Sequence, residues 1–247
     1  MADFETLGAG RVGARTVQID EGLRAHMNKV YGLMSVAMII TGLVAWAVGS
    51  NDALLSIFRD PVTMRPNILG WIATFAPLGV VFLFSASLNR MAASTAQLVF
   101  YGFAALMGLS LSYIFAVYTG QSIAQAFLVS AIAFAGLSLY GYATKRDLSA
   151  MGTFLMMGLI GLIVAMLVNL FLQSGAMAFA ISVIGVLIFA GLTAFDTQNI
   201  KNTYLAHAHA GDSEWLAKSA IMGALNLYLD FLNLFMFLLQ FFGSQRE

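Results

Sequence analysis

The sequence predicts an all-α integral membrane protein of seven transmembrane helices, folded as one compact membrane domain. Three observations carry that expectation. Hydrophobic residues make up 60% of the chain and charged residues 10%, whereas a soluble domain of this size carries about a quarter charged residues. Seven apolar stretches each reach the roughly 20 residues that a helix needs to cross about 30 Å of hydrocarbon. The polar marks between most of them are short, so neighbouring helices must run antiparallel.

The chain opens with a polar stretch holding Arg11, Arg15, Asp20, Glu21 and Arg24, too long and too mixed in charge for a signal-peptide n-region. Residues 1–28 are expected to remain as a mobile, partly disordered cytoplasmic tail ahead of a membrane domain at 29–247. The apolar segments then run at about 30–49, 68–88, 95–118, 122–143, 152–173, 176–198 and 219–242. They are punctuated by the Ser50–Asn67 loop, Asn89-Arg90, Thr119-Gly120-Gln121, Lys145-Arg146-Asp147 and Gln173-Ser174-Gly175. The span 200–218, with Lys201, His207, His209, Asp212, Glu214 and Lys218, reads as a solvated loop.

Basic residues set the orientation. Arg11, Arg15, Arg24, Lys29, Arg90, Lys145, Arg146, Lys201 and Lys218 share the N-terminal side, against Arg59, Arg65 and Arg246 on the other. A cytoplasmic N-terminus and an outside C-terminus follow. Small residues at Ala104/Gly108, Ala131/Ala135 and Gly161/Ala165 are spaced for close helix packing. Pro77 removes one backbone hydrogen bond within the second segment and is expected to kink it.

The formal net charge is zero, which gives no electrostatic reason to expect a nucleic-acid partner. Cysteine is absent, which excludes disulfides, thiolate metal sites, iron–sulfur clusters and cysteine nucleophiles.

Chemistry is expected at Asp196 and Asp230, the acids well inside apolar segments. A carboxylate at the bilayer centre costs about 2.5–3.5 kcal/mol even on insertion scales, so such a residue marks function or finds compensation. Asn226, Asp230 and Asn233 are spaced four and three apart, which places them on one stripe of the seventh helix, extended by Gln240. A helix with a polar seam and apolar flanks belongs inside a bundle. Thr193 stands three residues before Asp196 on roughly the same face. If the two acids approach, both cannot easily ionise, and the pair shares a proton. Its loss leaves two repelling carboxylates that separate or recruit a cation such as calcium. The pair could instead be neutral hydrogen-bonded groups that fix helix register. Depth weighs against pairing, because Asp196 lies close to the end of its segment and Asp230 deep within its own.

The stretches Leu192–Lys201 (with Phe-Asp-Thr-Gln), Ala224–Gly243 (with Leu-Tyr-Leu-Asp-Phe-Leu-Asn-Leu-Phe), Ser138–Ser149 and Gly108–Phe115 resemble the Bax inhibitor-1, or transmembrane Bax inhibitor motif, family. The resemblance extends over essentially everything after residue 25. It implies a bacterial inner-membrane protein of seven helices with the last one central, and a pH-sensitive calcium leak controlled by two aspartates that match Asp196 and Asp230. Calcium would bind this pair transiently, and no resident cofactor is implied. A basic residue near the inner end of the second helix takes part in the family's closed state, and Arg90 occupies that position here.

Two other classes compete with this reading. An intramembrane aspartyl protease also carries two aspartates on adjacent helices, but those enzymes resemble one another in a Gly-x-Gly-Asp motif where this chain has Thr193-Ala-Phe-Asp196. No enzymatic activity is therefore expected. A regulatory partner of a membrane-anchored quality-control protease is the second class, with residues 1–28 as its contact. His207 and His209 alone do not make a zinc site, which needs three or four ligands.

Overall fold

The computed structural model describes the backbone of all residues except 1, 61, 62, 64, 208–211 and 247, and the side chains of these except 2–18 and 89. The helices are α1 (Ala2–Gly49), α2 (Asp52–Leu55), α3 (Ile68–Ser87), α4 (Ala93–Leu111), α5 (Ile114–Val117), α6 (Gly120–Ala143), α7 (Ser149–Leu172), α8 (Gly175–His207) and α9 (Ser213–Phe242), with a 3-10 turn at Leu88–Arg90. Seven helical stretches are long and apolar enough to cross a membrane: those of α1, α3, α4 with α5, α6, α7, α8 and α9. They coincide with the seven predicted segments.

Helix is the conformation expected here, because hydrocarbon offers no partner to a free backbone N–H or C=O. The ends are built by side chains. Asn67 accepts from Gly70 N at 2.9 Å at the head of α3, and Thr119 accepts from Ser122 N at 3.2 Å at the head of α6. Asp212 accepts from Trp215 N at 3.0 Å at the head of α9. Gln173, at φ 50°, ends α7 in the left-handed conformation.

Two boundaries differ from expectation. The predicted loop over 200–218 is mostly helix, since α8 continues to His207 and α9 begins at Ser213. Hydropathy reports depth in the membrane rather than helix ends, and the extension of α8 is anchored to the α6–α7 connection. Gln198 Oε1 accepts from Leu148 N at 2.9 Å, Gln198 Nε2 donates to Arg146 O at 2.7 Å, and Lys201 Nζ donates to Tyr142 O at 2.6 Å. At the N-terminus, residues 19–28 continue α1 rather than forming a tail. Leu23, His26 and Met27 are buried, with the His26 ring 4.9 Å from that of Tyr204.

Helix α9 packs against α1, α4, α6 and α8, and 67% of its apolar stretch is buried. The same measure is 17% for α3 and 6% for α7, which lean chiefly on α4 and on α8 respectively. Buried Tyr228 ties the centre together. Its hydroxyl lies 2.7 Å from Thr41 Oγ1, which donates within reach of Ala104 O at 2.8 Å and Ala37 O at 3.0 Å. Its ring meets Phe100 and Phe103 edge-on.

Of the three small-residue pairs, Ala104/Gly108 makes a close helix contact. A Cβ on Gly108 would lie 2.7 Å from Thr41 O of α1. Gly161 is exposed with nothing within 4 Å of an added Cβ, and Ala135 is exposed too. The periodicity of small residues cannot distinguish a helix-facing stripe from a lipid-facing one. At the other end the chain terminus is pinned: Thr119 N donates to Ser244 O at 3.1 Å and Arg246 N to Val117 O at 2.9 Å.

Candidate functional site

Asp196 and Asp230 meet. Their side chains are within hydrogen-bonding reach of each other, and both line one cleft of about 400 Å³. The longer helices remove much of the depth mismatch. Asp196 stands 11 residues before the end of α8 and Asp230 stands 17 residues after the start of α9. At 1.5 Å per residue the remaining offset is about 9 Å, within what helix tilt can absorb.

Asp230 is 4% exposed, Asp196 partly so. Oδ2 of Asp230 is buried and receives no hydrogen bond among the described residues. Two ionised carboxylates have no donor between them, so a hydrogen bond between these groups requires a proton on one. Among the described residues neither acid forms an ion pair: Lys218 pairs with Glu214 at 3.5 Å, and Lys201 is engaged at Tyr142.

The polar seam of α9 divides between two clefts. Asn226 and Asn233 line the aspartate cleft, Asn233 donating its amide to Leu229 O at 2.8 Å. Gln240 lies in a second, more polar cleft of about 410 Å³ with Asn169, Ser182 and Gln245, near the C-terminal end of the chain. Met166 of α7 lines both clefts.

The structure does not bring every candidate to the pair. Thr193 is fully buried but its hydroxyl donates to Phe189 O at 2.8 Å, and it is not part of the cleft wall. Arg90 is exposed in the turn after α3 and touches neither acid. His207 stacks on Trp215 with ring centres 4.1 Å apart, and His209 lies outside the described residues. Sequence reasoning missed the walls of the cleft, among them Phe103, Met107, Met166, Phe189 and Phe237. It also missed a hydroxyl chain that reaches the residue after Asp196, Tyr31 to Ser138 at 2.5 Å and Ser138 to Thr197 at 2.9 Å. A signal for that chain existed: Ser122, Ala126, Ser130, Phe134 and Ser138 recur every four residues and form the buried stripe of α6.

Residues 23–247 match the family described as inhibitor of apoptosis-promoting Bax1. The chain belongs to the Bax inhibitor-1 family. The match begins at Leu23, where the buried core of α1 also begins. The chain is 46% identical over 228 residues to a protein of Rickettsia prowazekii, covering 92% of this chain and 93% of the relative. It is 44% identical over 230 residues to the inner membrane protein YbhL of Escherichia coli K12, covering 93% and 96%. A protein of Caulobacter vibrioides is 43% identical over 234 residues, covering 94% and 93%. This Bax inhibitor-1 family member is an integral membrane protein, with a homologue in a bacterial inner membrane.

Proposed function

We propose that the chain is a pH-sensitive calcium leak of the membrane, gated by the proton shared between Asp196 and Asp230. The observation that carries this reading is the approach of two acids, with no Lys or Arg of the described residues ion-paired to either, in a cleft between membrane-spanning helices. At acidic pH the shared proton holds α8 to α9 and leaves the pair with one negative charge instead of two. Raising the pH removes it, and two carboxylates at this separation repel. They then part or bind a cation.

Calcium takes six to eight oxygen ligands, and the cleft supplies two carboxylates with the amide oxygens of Asn226 and Asn233. With water completing the shell, such a set favours transit over storage. The polar cleft around Asn169, Ser182, Gln240 and Gln245 supports a route toward the C-terminal end, and Met166 stands between the two chambers. In this reading the N-terminus faces the cytoplasm, which the distribution of basic residues supports, and the ion passes without chemical conversion or resident cofactor. Calcium entry into proteoliposomes, followed against pH, tests it. Asp230→Asn should abolish the pH response; an unchanged rate and response in that variant would refute the leak.

A further inference from the structure

The aspartate cleft is open sideways. Its rims are α3 and α7, which no packed interface joins among the described residues. Leu78 of α3 and Ile163 and Met166 of α7 line the cleft yet are 55%, 45% and 39% exposed. Leu78 is the eleventh residue of the 20 in α3 and Ile163 the fifteenth of the 24 in α7. The gap therefore lies near mid-span, at hydrocarbon depth. A hydrated ion does not approach from that side, whereas a molecule dissolved in the bilayer does.

The interior has the make-up of a small-molecule site: mostly apolar walls, a few convergent polar groups, and a volume of about 400 Å³. Those polar groups are two acids and two amides. Asp230 is more than nine-tenths buried and its Oδ2 has no hydrogen-bond partner among the described residues. An anion would be repelled, and a neutral hydrocarbon tail would leave that oxygen without a partner. An ammonium group carries positive charge and three N–H donors, and a buried charge needs such pairing.

We propose that this cleft binds a lipophilic amine, which enters from the bilayer between α3 and α7, sets its ammonium on the Asp196–Asp230 pair and lays its alkyl chain along Leu78, Ile163 and Met166. The inference rests on the aspartate pair being the functional site of the proposed leak and adds a ligand class to it. A bound amine occupies the place calcium would take and so blocks flux.

Radiolabelled dodecylamine binding to the full chain in phosphatidylcholine nanodiscs tests this, with dodecanol as the uncharged competitor of equal chain length. Binding should saturate, resist dodecanol, and weaken at least about tenfold in Asp230→Asn. Leu78→Trp keeps both acids and changes only a lipid-facing rim, so it reports on the portal without disturbing the core; it should weaken or slow binding as well. Equal displacement by dodecanol, or affinity within about twofold of the parent in both variants, overturns the proposal. Calcium flux measured in parallel separates the two readings. Amine binding without any calcium flux removes the leak and keeps the ligand site, and flux without amine binding does the reverse.

Discussion

Gly141→Ala should loosen the contact between α6 and α8 that positions Asp196. A Cβ at Gly141 would stand 2.1 Å from Ala194 O, 2.9 Å from its carbonyl carbon and 3.0 Å from its Cα. All three are backbone atoms, so no rotamer change relieves the clash. Bringing the oxygen out to even 3.0 Å, the closest that Cβ atoms tolerate, moves α8 by about 1 Å. That displacement takes the Ser138–Thr197 bond from 2.9 Å beyond hydrogen-bonding range. Overpacking of this kind costs about 1–3 kcal/mol and the lost bond about 1 kcal/mol more, for a total of roughly 2–4 kcal/mol. Ala194 lies two residues before Asp196, so the same shift should disturb the acid pair and the pH dependence of flux. Gly136→Ala on the same helix is the control, because nothing lies within 4 Å of its added Cβ. Helix propensity makes that change neutral or favourable by up to about 1 kcal/mol. Reversible unfolding in mixed detergent micelles, comparing the two variants, measures the difference. Equal stability would refute the close approach of α6 to α8.

Thr41→Val should destabilise more than Tyr228→Phe: the first leaves the buried Tyr228 hydroxyl without its partner, at about 1–3 kcal/mol, whereas the second leaves Thr41 bonded to backbone carbonyls, at about 1 kcal/mol. Detergent unfolding of both variants checks the order. Gln198→Ala strips Leu148 N and Arg146 O of their partners, and trypsin should then cut at Lys145 or Arg146 several-fold faster with calcium flux still measurable. Met166→Ala should raise calcium flux and Met166→Trp lower it, with the pH of half-response unchanged, since Met166 walls both clefts without touching the proton.

The seven spans were legible because each is a long uncharged run, and the aspartates because nothing else acidic lies so deep in one. The stripe Asn226, Asp230 and Asn233 was legible too, from spacing on a single helix. What spacing does not encode is which face meets which neighbour. Thr193 shares a helix with Asp196, yet it closes its own hydrogen bond to Phe189 O, as threonines within membrane helices commonly do. Arg90 follows the second span in sequence, but the turn at Leu88–Arg90 leaves it exposed. The extension of α8 to His207 was hidden because Gln198, Asn199, Lys201 and Asn202 read as a polar break, while the structure shows Gln198 and Lys201 bonding to the α6–α7 connection. That extension matters most, since it helps bring the depths of the two acids together.

The most direct test of the proton gate is infrared difference spectroscopy of the carboxyl C=O stretch as pH is raised, on the same vesicles in which calcium flux is recorded. The gate predicts a protonated-carboxyl band that disappears over the pH range in which flux appears, and that is missing from the Asp196→Asn, Asp230→Asn double variant. Flux that rises with pH while the band stays unchanged, or a band that survives in the double variant, would contradict it.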